Sequence, residues 1–285
     1  MSLAPTLDAA DLEAYFQRIG YEAVGEADRA PTLAILQGIH QRHPQAIAFE
    51  NLSSFLGQPV ELDLPSLVQK LVYSDRGGYC FEQNGLLRSV LTTLGFQVTG
   101  LGARVLWQLP PDTLTPRSHM VLLLDLEGEP YIADVGFGGL TLTAPLRLVP
   151  DLVQATPHEQ FRLIQSEEFW ILQAQIGQDW KPLYQFDLQA QHPCDYGVSN
   201  WHVSTHPSSL FVNNLIAARV DRDSHLGGLR QRRYGLRNTE LATHFWSGTT
   251  EKRKIADAAE LETVLTDIFK LKLPEKSDFS RLFSR

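Results

Sequence analysis

The strongest constraint on the fold is a change in hydrophobic period about one third of the way along the chain. Up to about residue 95, apolar residues recur at spacings of three and four, which is typical of amphipathic helices. Asp8 predicts the N-cap of a first helix, and Gly20 predicts its end. Further helices are predicted from Thr32 to Pro44, from Pro65, and from Cys80 to Leu94.

After residue 95 the pattern becomes that of strands separated by glycine and proline. The predicted strands are 96–107, 119–126, 130–137, 161–165, 169–176 and 180–188. This middle third predicts a small barrel or a twisted sheet. The C-terminal third is mixed, with strands at 213–220 and 232–238 and a final helix from Ala258 to Phe269. The order of helices, strands and then both predicts an α+β fold.

Composition excludes several classes of protein. The net charge of −8 over 285 residues disfavours binding to nucleic acid. No apolar run approaches the ~20 residues of a membrane span, and the N-terminal segment lacks the basic and apolar regions of a secretory signal. Two cysteines cannot form a disulfide framework, so we expect a cytoplasmic protein. No residue cluster has metal-ligand spacing, so we expect no metal.

The segment RGGYCFEQNG, residues 76–85, places Cys80 at the start of a predicted helix. The N-terminus of a helix carries partial positive charge, which favours thiolate over thiol. Gly77 and Gly78 allow a sharp turn and a close approach of the backbone to a ligand. Asn84, Leu87 and Leu91 lie on the same helix face as Cys80, so the sulfur is expected to point inward. The alternative is that Cys80 is a small buried hydrophobe.

A cysteine nucleophile needs a base, and the base needs a group that orients it. His119 opens one apolar strand and Asp134 closes the next. If the strands form a hairpin that turns at Glu127-Gly128, Val121 lies opposite Asp134. His119 is then a diagonal neighbour of Asp134 on the same face of the sheet. The spacing therefore allows an Asp–His hydrogen bond, although a strand-end histidine and a turn-forming aspartate remain the simpler alternatives taken singly.

Several segments together resemble one known family, the arylamine N-acetyltransferases. They are, in chain order, AIAFENLS (46–53), RGGYCFEQN (76–84), SHMVLLL (118–124), ADVGFGG (133–139) and STHPSSLF (204–211). The likeness runs over nearly the whole chain, and the cysteine motif is its most specific part. One departure is Ala48, where the family usually has proline, and this should alter a local turn.

The resemblance implies a cysteine-proteinase-like core in three parts. These are a helical bundle (1–95) that carries the nucleophile, a β-barrel (96–200) that carries histidine and aspartate, and an α/β lid (201–285) joined by an inter-domain helix. It implies the catalytic triad Cys80, His119 and Asp134. It also implies acetyl transfer from acetyl-CoA to arylamines, arylhydrazines and, in some members, N-hydroxyarylamines, by a ping-pong route through acetyl-Cys80.

The resemblance assigns further residues as well. Val105, Phe137 and Phe211 are expected to line an apolar acceptor pocket, although core packing explains any single phenylalanine equally well. Gly138, in the GFGG segment, is expected to lie near CoA. Arg76 and Glu50 are expected to pair and to brace the loop that presents the cysteine.

Three other functions remain open at this stage. A thiol protease or transglutaminase-like enzyme would use the same three residues on a polypeptide. An amide synthase would act on a carrier-bound polyketide acyl group. A non-catalytic binding protein of the same fold would be expected to lack a triad member, and none is missing here. The sequence does not indicate an oligomeric state.

Overall fold

The computed structural model describes residues 5–22, 29–110, 113–223, 230–245 and 248–284. Within these ranges the helices are α1 (Ala9–Ile19), α2 (Leu33–Ala46), α3 (Leu52–Phe55), α4 (Leu64–Val68), α5 (Cys80–Thr93), α6 (Pro193–Thr205), α7 (Leu210–Asn213) and α8 (Ala258–Asp267), with a π-helical turn at Gln69–Tyr73. The strands are β1 (Phe49–Glu50), β2 (Gln97–Val105), β3 (His119–Leu126), β4 (Glu129–Ala133), β5 (Leu146–Arg147), β6 (Gln154–Ala155), β7 (Gln160–Ser166), β8 (Phe169–Ile176), β9 (Asp179–Ala190), β10 (Ile216–Asp223), β11 (Arg230–Arg237), β12 (Glu240–Phe245) and β13 (Thr250–Lys254).

The N-terminal helices follow their sequence signals closely. The Asp8 side chain accepts the backbone N–H of Asp11 at 2.8 Å, and Gly20 ends α1 in the left-handed conformation. The predicted end of α2 at Pro44 is wrong by two residues. Pro44 lies in the last turn, where its missing N–H removes one hydrogen bond, and the Ile47 N–H still bonds to the carbonyl of His43 at 2.8 Å.

The central sheet is a nearly closed antiparallel barrel with the strand order β5-β4-β3-β2-β9-β8-β7-β6. Its two edges, β5 and β6, are bridged by Gln154, whose amide accepts the N–H of Arg147 at 2.8 Å and donates to its carbonyl at 2.9 Å. The β3–β4 hairpin has the predicted register, with Leu126 opposite Glu129. Strand β4 ends at Ala133, four residues earlier than predicted, because Asp134 begins a loop whose backbone N–H groups bond to the side chains of His40 and Asn84.

Strand β3 is shared between two cores, and this sharing orients its first residue. Met120, Leu122 and Leu124 pack in the core of the helical bundle, whereas Val121 packs inside the barrel. Side chains alternate along a strand, so His119 has the parity of Val121 and faces the barrel interior.

The C-terminal lid is a second sheet with the order β1-β10-β11-β12-β13, packed on α8. Its first strand, β1, comes from the N-terminal third and lies antiparallel to β10. Helix α6 joins barrel to lid, as the family resemblance implied. The α+β fold of bundle, barrel and lid is therefore confirmed. The limits 1–95, 96–200 and 201–285 remain a proposal, with the second limit inside α6.

Candidate active site

Cys80 is the first residue of α5 and is buried. The preceding N-cap is fastened by Glu82, whose carboxylate accepts the N–H of Tyr79 at 3.0 Å. At Gly77 an added Cβ would come within 2.0 Å of the carbonyl oxygen of Ala48. The sequence predicted that a ligand would approach the backbone closely here. At Gly77 it is instead the backbone carbonyl of Ala48 that does so.

His119 and Asp134 form a buried ion pair. The Nε2 atom of His119 lies 2.8 Å from Oδ2 of Asp134, and both side chains are almost fully buried. Burial acts to lower the pKa of His119, but the charge and hydrogen bond of Asp134, followed by the interaction with Cys80, outweigh it and raise the pKa to about 10. The imidazole is therefore protonated at neutral pH, because Asp134 stabilises the positive charge.

Burial likewise acts to raise the pKa of Asp134, but the charge of His119 and hydrogen bonds from His119, Asn84 and Gly136 lower it. The carboxylate therefore stays ionised. Since it accepts from Nε2, it leaves Nδ1 as the ring nitrogen that can exchange a proton with a nucleophile.

The thiol of Cys80 lies beside this pair. Its Sγ is 3.6 Å from the carbonyl oxygen of Ser118, the residue before His119, and the thiol donates to that oxygen. Cys80 also contributes to the raised pKa of His119 through a hydrogen bond and its charge. The structure thus brings together the three residues predicted from the sequence, and thiol, imidazole and carboxylate form one connected set.

Asn84 joins all three segments that carry these residues, a function the sequence argument did not assign to it. Its Nδ2 donates to Oδ1 of Asp134 and to the carbonyl of Met120, both at 2.8 Å. Its Oδ1 accepts the N–H of Val135 at 3.0 Å. The spacing of four residues from Cys80, which puts both side chains on one helix face, was the signal that pointed to it.

His40 is a second residue that sequence reasoning missed. Its Nε2 accepts the backbone N–H of Asp134 at 3.1 Å. Burial lowers the pKa of His40 to about 3, so the ring is neutral and can accept this bond. The signal was its position beside Ile39 on the apolar face of α2, which marks a buried histidine but not its partner.

Gly136 lets the aspartate loop approach the nucleophile helix. An added Cβ there would lie 2.8 Å from the Cα of Cys80 and 2.9 Å from Nδ2 of Asn84. Any side chain at this position would push the loop away from α5.

Two aromatic rings contact the imidazole of His119. The ring of Phe137 meets it edge-on at 5.3 Å between centroids, and the ring of Tyr184 lies 4.9 Å from it between centroids.

The site opens into a cavity of about 1400 Å³ between bundle, barrel and lid. Cys80 and His119 line it, and so do all four residues assigned to substrate and CoA by resemblance, Val105, Phe137, Gly138 and Phe211. The cavity therefore has room for an aromatic ring and for a long acyl-donor chain at the same thiol.

Arg76 and Glu50 form the expected pair. Nε and Nη2 of Arg76 lie 2.9 and 2.8 Å from Oε1 of Glu50, which is fully buried. The other oxygen of Glu50 accepts the N–H of Leu52 at 2.6 Å. The pair thus connects the segment before Cys80 to the start of α3.

Within the described ranges, no group of three or more histidine, cysteine or acidic side chains is arranged to hold a metal ion. Among the same residues, none of the helices combines the length and the apolar character needed to span a bilayer.

Comparison with known proteins agrees with the family resemblance. A family profile described as N-acetyltransferase matches residues 32–278. The arylamine N-acetyltransferase of Mycobacterium tuberculosis is 42% identical over 281 residues, covering 97% of this chain and 95% of that protein. A Salmonella typhimurium protein named arylamine N-acetyltransferase / N-hydroxyarylamine O-acetyltransferase is 39% identical over 260 residues, or 91% of this chain and 88% of its own length.

Among solved structures, the Mycobacterium marinum arylamine N-acetyltransferase in complex with CoA matches with a TM-score of 0.86 and 41% sequence identity. The match covers 95% of this chain and 96% of that one. The resemblance inferred from the motifs is therefore confirmed. This chain belongs to the arylamine N-acetyltransferase family and is an acyltransferase.

Proposed function

We propose that this protein transfers the acetyl group of acetyl-CoA to aromatic amines and hydrazines through an acetyl-Cys80 intermediate. The observation that carries the proposal is the connected set of Cys80, His119 and Asp134 at the wall of a cavity large enough for both substrates. The names of the relatives support the acceptor class, and the M. marinum complex supports CoA as the donor's carrier.

In the first half-reaction Cys80 reacts as a thiolate paired with the His119 imidazolium, and this thiolate attacks the thioester carbonyl of acetyl-CoA. The tetrahedral oxyanion collapses with cleavage of the bond between acetyl carbon and CoA sulfur. The imidazolium gives its proton to the departing CoA thiolate. The products are acetyl-Cys80 and CoA. Backbone N–H groups at the start of α5, before those of Glu82 and Gln83 that bond to the carbonyl of Tyr79, are the proposed donors to the oxyanion, since the first N–H groups of a helix lack intrahelical acceptors.

In the second half-reaction the amine nitrogen attacks the acetyl-Cys80 carbonyl. Arylamine nitrogens are weakly basic and are unprotonated near neutral pH, so their lone pair is available. His119 accepts the proton that the amine loses, and Cys80 leaves as a thiolate. The second substrate enters after CoA has left, which makes the route ping-pong.

Val105, Phe137 and Phe211 are the proposed walls for the acceptor ring, and Gly138 is a proposed contact of CoA. Arg76 and Glu50 are proposed to brace the loop before the nucleophile.

We extend the proposal to O-acetylation of N-hydroxyarylamines because the Salmonella relative carries that activity in its name. A cytoplasmic location is proposed because the nucleophile requires a reduced thiol.

Steady-state kinetics with acetyl-CoA and an aromatic amine test this proposal. Double-reciprocal plots at several fixed amine concentrations should give parallel lines, with CoA and the acetylated amine formed in equal amounts. Intersecting lines would contradict a free acetyl-enzyme. Cleavage of a casein-type substrate without acetyl transfer would favour the thiol-protease alternative.

A further inference from the structure

Asn51, in the FENL segment, makes three hydrogen bonds to one stretch of backbone far along the chain. Its Nδ2 donates to the carbonyl oxygens of Phe211 at 2.8 Å and Asn214 at 2.7 Å. Its Oδ1 accepts the N–H of Ile216 at 2.7 Å. The side chain is almost fully buried, and each N–H of the amide is used.

The stretch that Asn51 holds is one wall of the catalytic cavity. Phe211 and Ile216 both line the cavity with Cys80. The Phe211 ring makes edge contacts with Tyr79, at 5.5 Å between centroids, and with Phe49, at 5.9 Å. Tyr79 directly precedes the nucleophile, so the position of the Phe211 ring relative to the thiol depends on the hydrogen bonds that Asn51 makes to this stretch.

Other bonds hold the same stretch from the C-terminal side. The Oδ1 of Asn238 accepts the N–H of Leu215 at 2.9 Å, and Arg281 donates to the carbonyl of Val212 at 3.2 Å. The side chain of Asn51 fastens it to the N-terminal segment, which carries Phe49 and Glu50. Together with the antiparallel pairing of β1 and β10, it sets where the lid-side wall lies relative to the bundle that presents Cys80.

We propose that Asn51 is a positioning residue for acceptor specificity, and that it acts by fixing Phe211 against the aromatic ring of the incoming amine. The inference rests on the proposed function and goes beyond it, because it separates recognition of the ring from the chemistry at the thiol. Acetylation of Cys80 needs no contact with the acceptor ring. Loss of Asn51 should therefore weaken the second half-reaction and leave the first unchanged.

The test uses preformed acetyl-enzyme and two acceptors, an aromatic amine and hydrazine, which has the nucleophilic nitrogen but no ring. Asn51→Asp keeps the shape of the side chain but places a carboxylate oxygen, in place of the two N–H donors, opposite the carbonyls of Phe211 and Asn214. Asn51→Ser is used if the aspartate variant does not fold. We expect the KM for the aromatic amine to rise about tenfold, the scale of one aromatic contact. The rate constant for hydrazine and the rate of Cys80 acetylation should not change.

Asn213→Asp is the matched control, since that side chain is on the same stretch but bonds only to Pro207 and Ser209 nearby. A double-mutant cycle with Phe211→Ala shows whether Asn51 acts through the ring. On the Phe211→Ala background, Asn51→Asp or Asn51→Ser should have no further effect on the aromatic amine.

An unchanged KM in a folded Asn51 variant, an equal loss with hydrazine, or additive effects with Phe211→Ala would each overturn the inference. Failure of the proposed function would look different, because the parent protein itself would then not become acetylated or would not transfer acetyl to the amine.

Discussion

Replacing Asp134 with asparagine should abolish most of the nucleophile's reactivity while leaving the fold in place. The pKa of His119 is raised from 6.5 to about 10, chiefly by Asp134 acting against burial. A shift of this size corresponds to about 5 kcal/mol in favour of the imidazolium. Without the carboxylate, burial dominates and the ring is neutral at pH 7. We expect the rate of Cys80 acetylation to fall about 10³-fold, or on the order of 4 kcal/mol.

The rate is best measured by rapid quenching and intact mass after mixing with acetyl-CoA, over a range of pH. The parent should keep its rate up to alkaline pH and lose it as the pH rises through about 10, where His119 deprotonates. In Asp134→Asn the loss should be present already at neutral pH. The midpoints belong to the coupled thiol and imidazole as a pair.

Asp125→Asn is the control for this experiment. Asp125 is on the same hairpin, but it is exposed and only accepts the N–H of Gly128 in the turn. It should acetylate like the parent. If Asp134→Asn melts cooperatively and still acetylates Cys80 within about tenfold of the parent rate, the proposed electrostatic function of Asp134 is refuted.

Two further predictions concern stability. Arg76→Ala leaves the buried carboxylate of Glu50 without its ion-pair partner, and we expect the free energy of unfolding, measured with urea, to fall by about 3–5 kcal/mol. The control Arg147→Ala removes an exposed ion pair and should lower it by under about 1 kcal/mol. Equal losses in the two variants would refute the bracing argument. Burial lowers the pKa of His43 to about 4. Below about pH 6.5 the unfolded chain therefore binds a proton at this histidine that the folded chain does not bind. The free energy of unfolding should fall by about 2 kcal/mol through His43 by about pH 5. His43→Gln should reduce that acid slope, and an unchanged slope would contradict the assignment.

Much of the site was predictable because its parts are set locally. The hairpin between β3 and β4 has a short turn at Glu127-Gly128, and a short turn fixes the register that puts His119 and Asp134 on one face. Helix α5 begins at Cys80, as the glycine pair and the apolar stripe indicated. Both features depend only on neighbours in sequence.

The contacts that join these parts were not predictable in the same way. The bond from Asp134 to His40 spans 94 positions, and the bonds from Asn51 to Phe211, Asn214 and Ile216 span 160 to 165. Such partners are chosen by tertiary packing, and no local pattern encodes them. Helix α6 was implied only by the family resemblance, because Pro193, Gly197 and a polar stretch hide its helical period in the sequence.

The most direct test of the central claim is the intact mass of the protein after mixing with acetyl-CoA in the absence of an acceptor. The parent and Cys194→Ser should each gain the mass of one acetyl group, since Cys194 is an exposed cysteine outside the cavity lining. Cys80→Ser should gain nothing, and adding an aromatic amine should return the parent to its starting mass. A parent that stays unmodified, or a Cys80→Ser variant that is still acetylated to the same extent, would contradict the account.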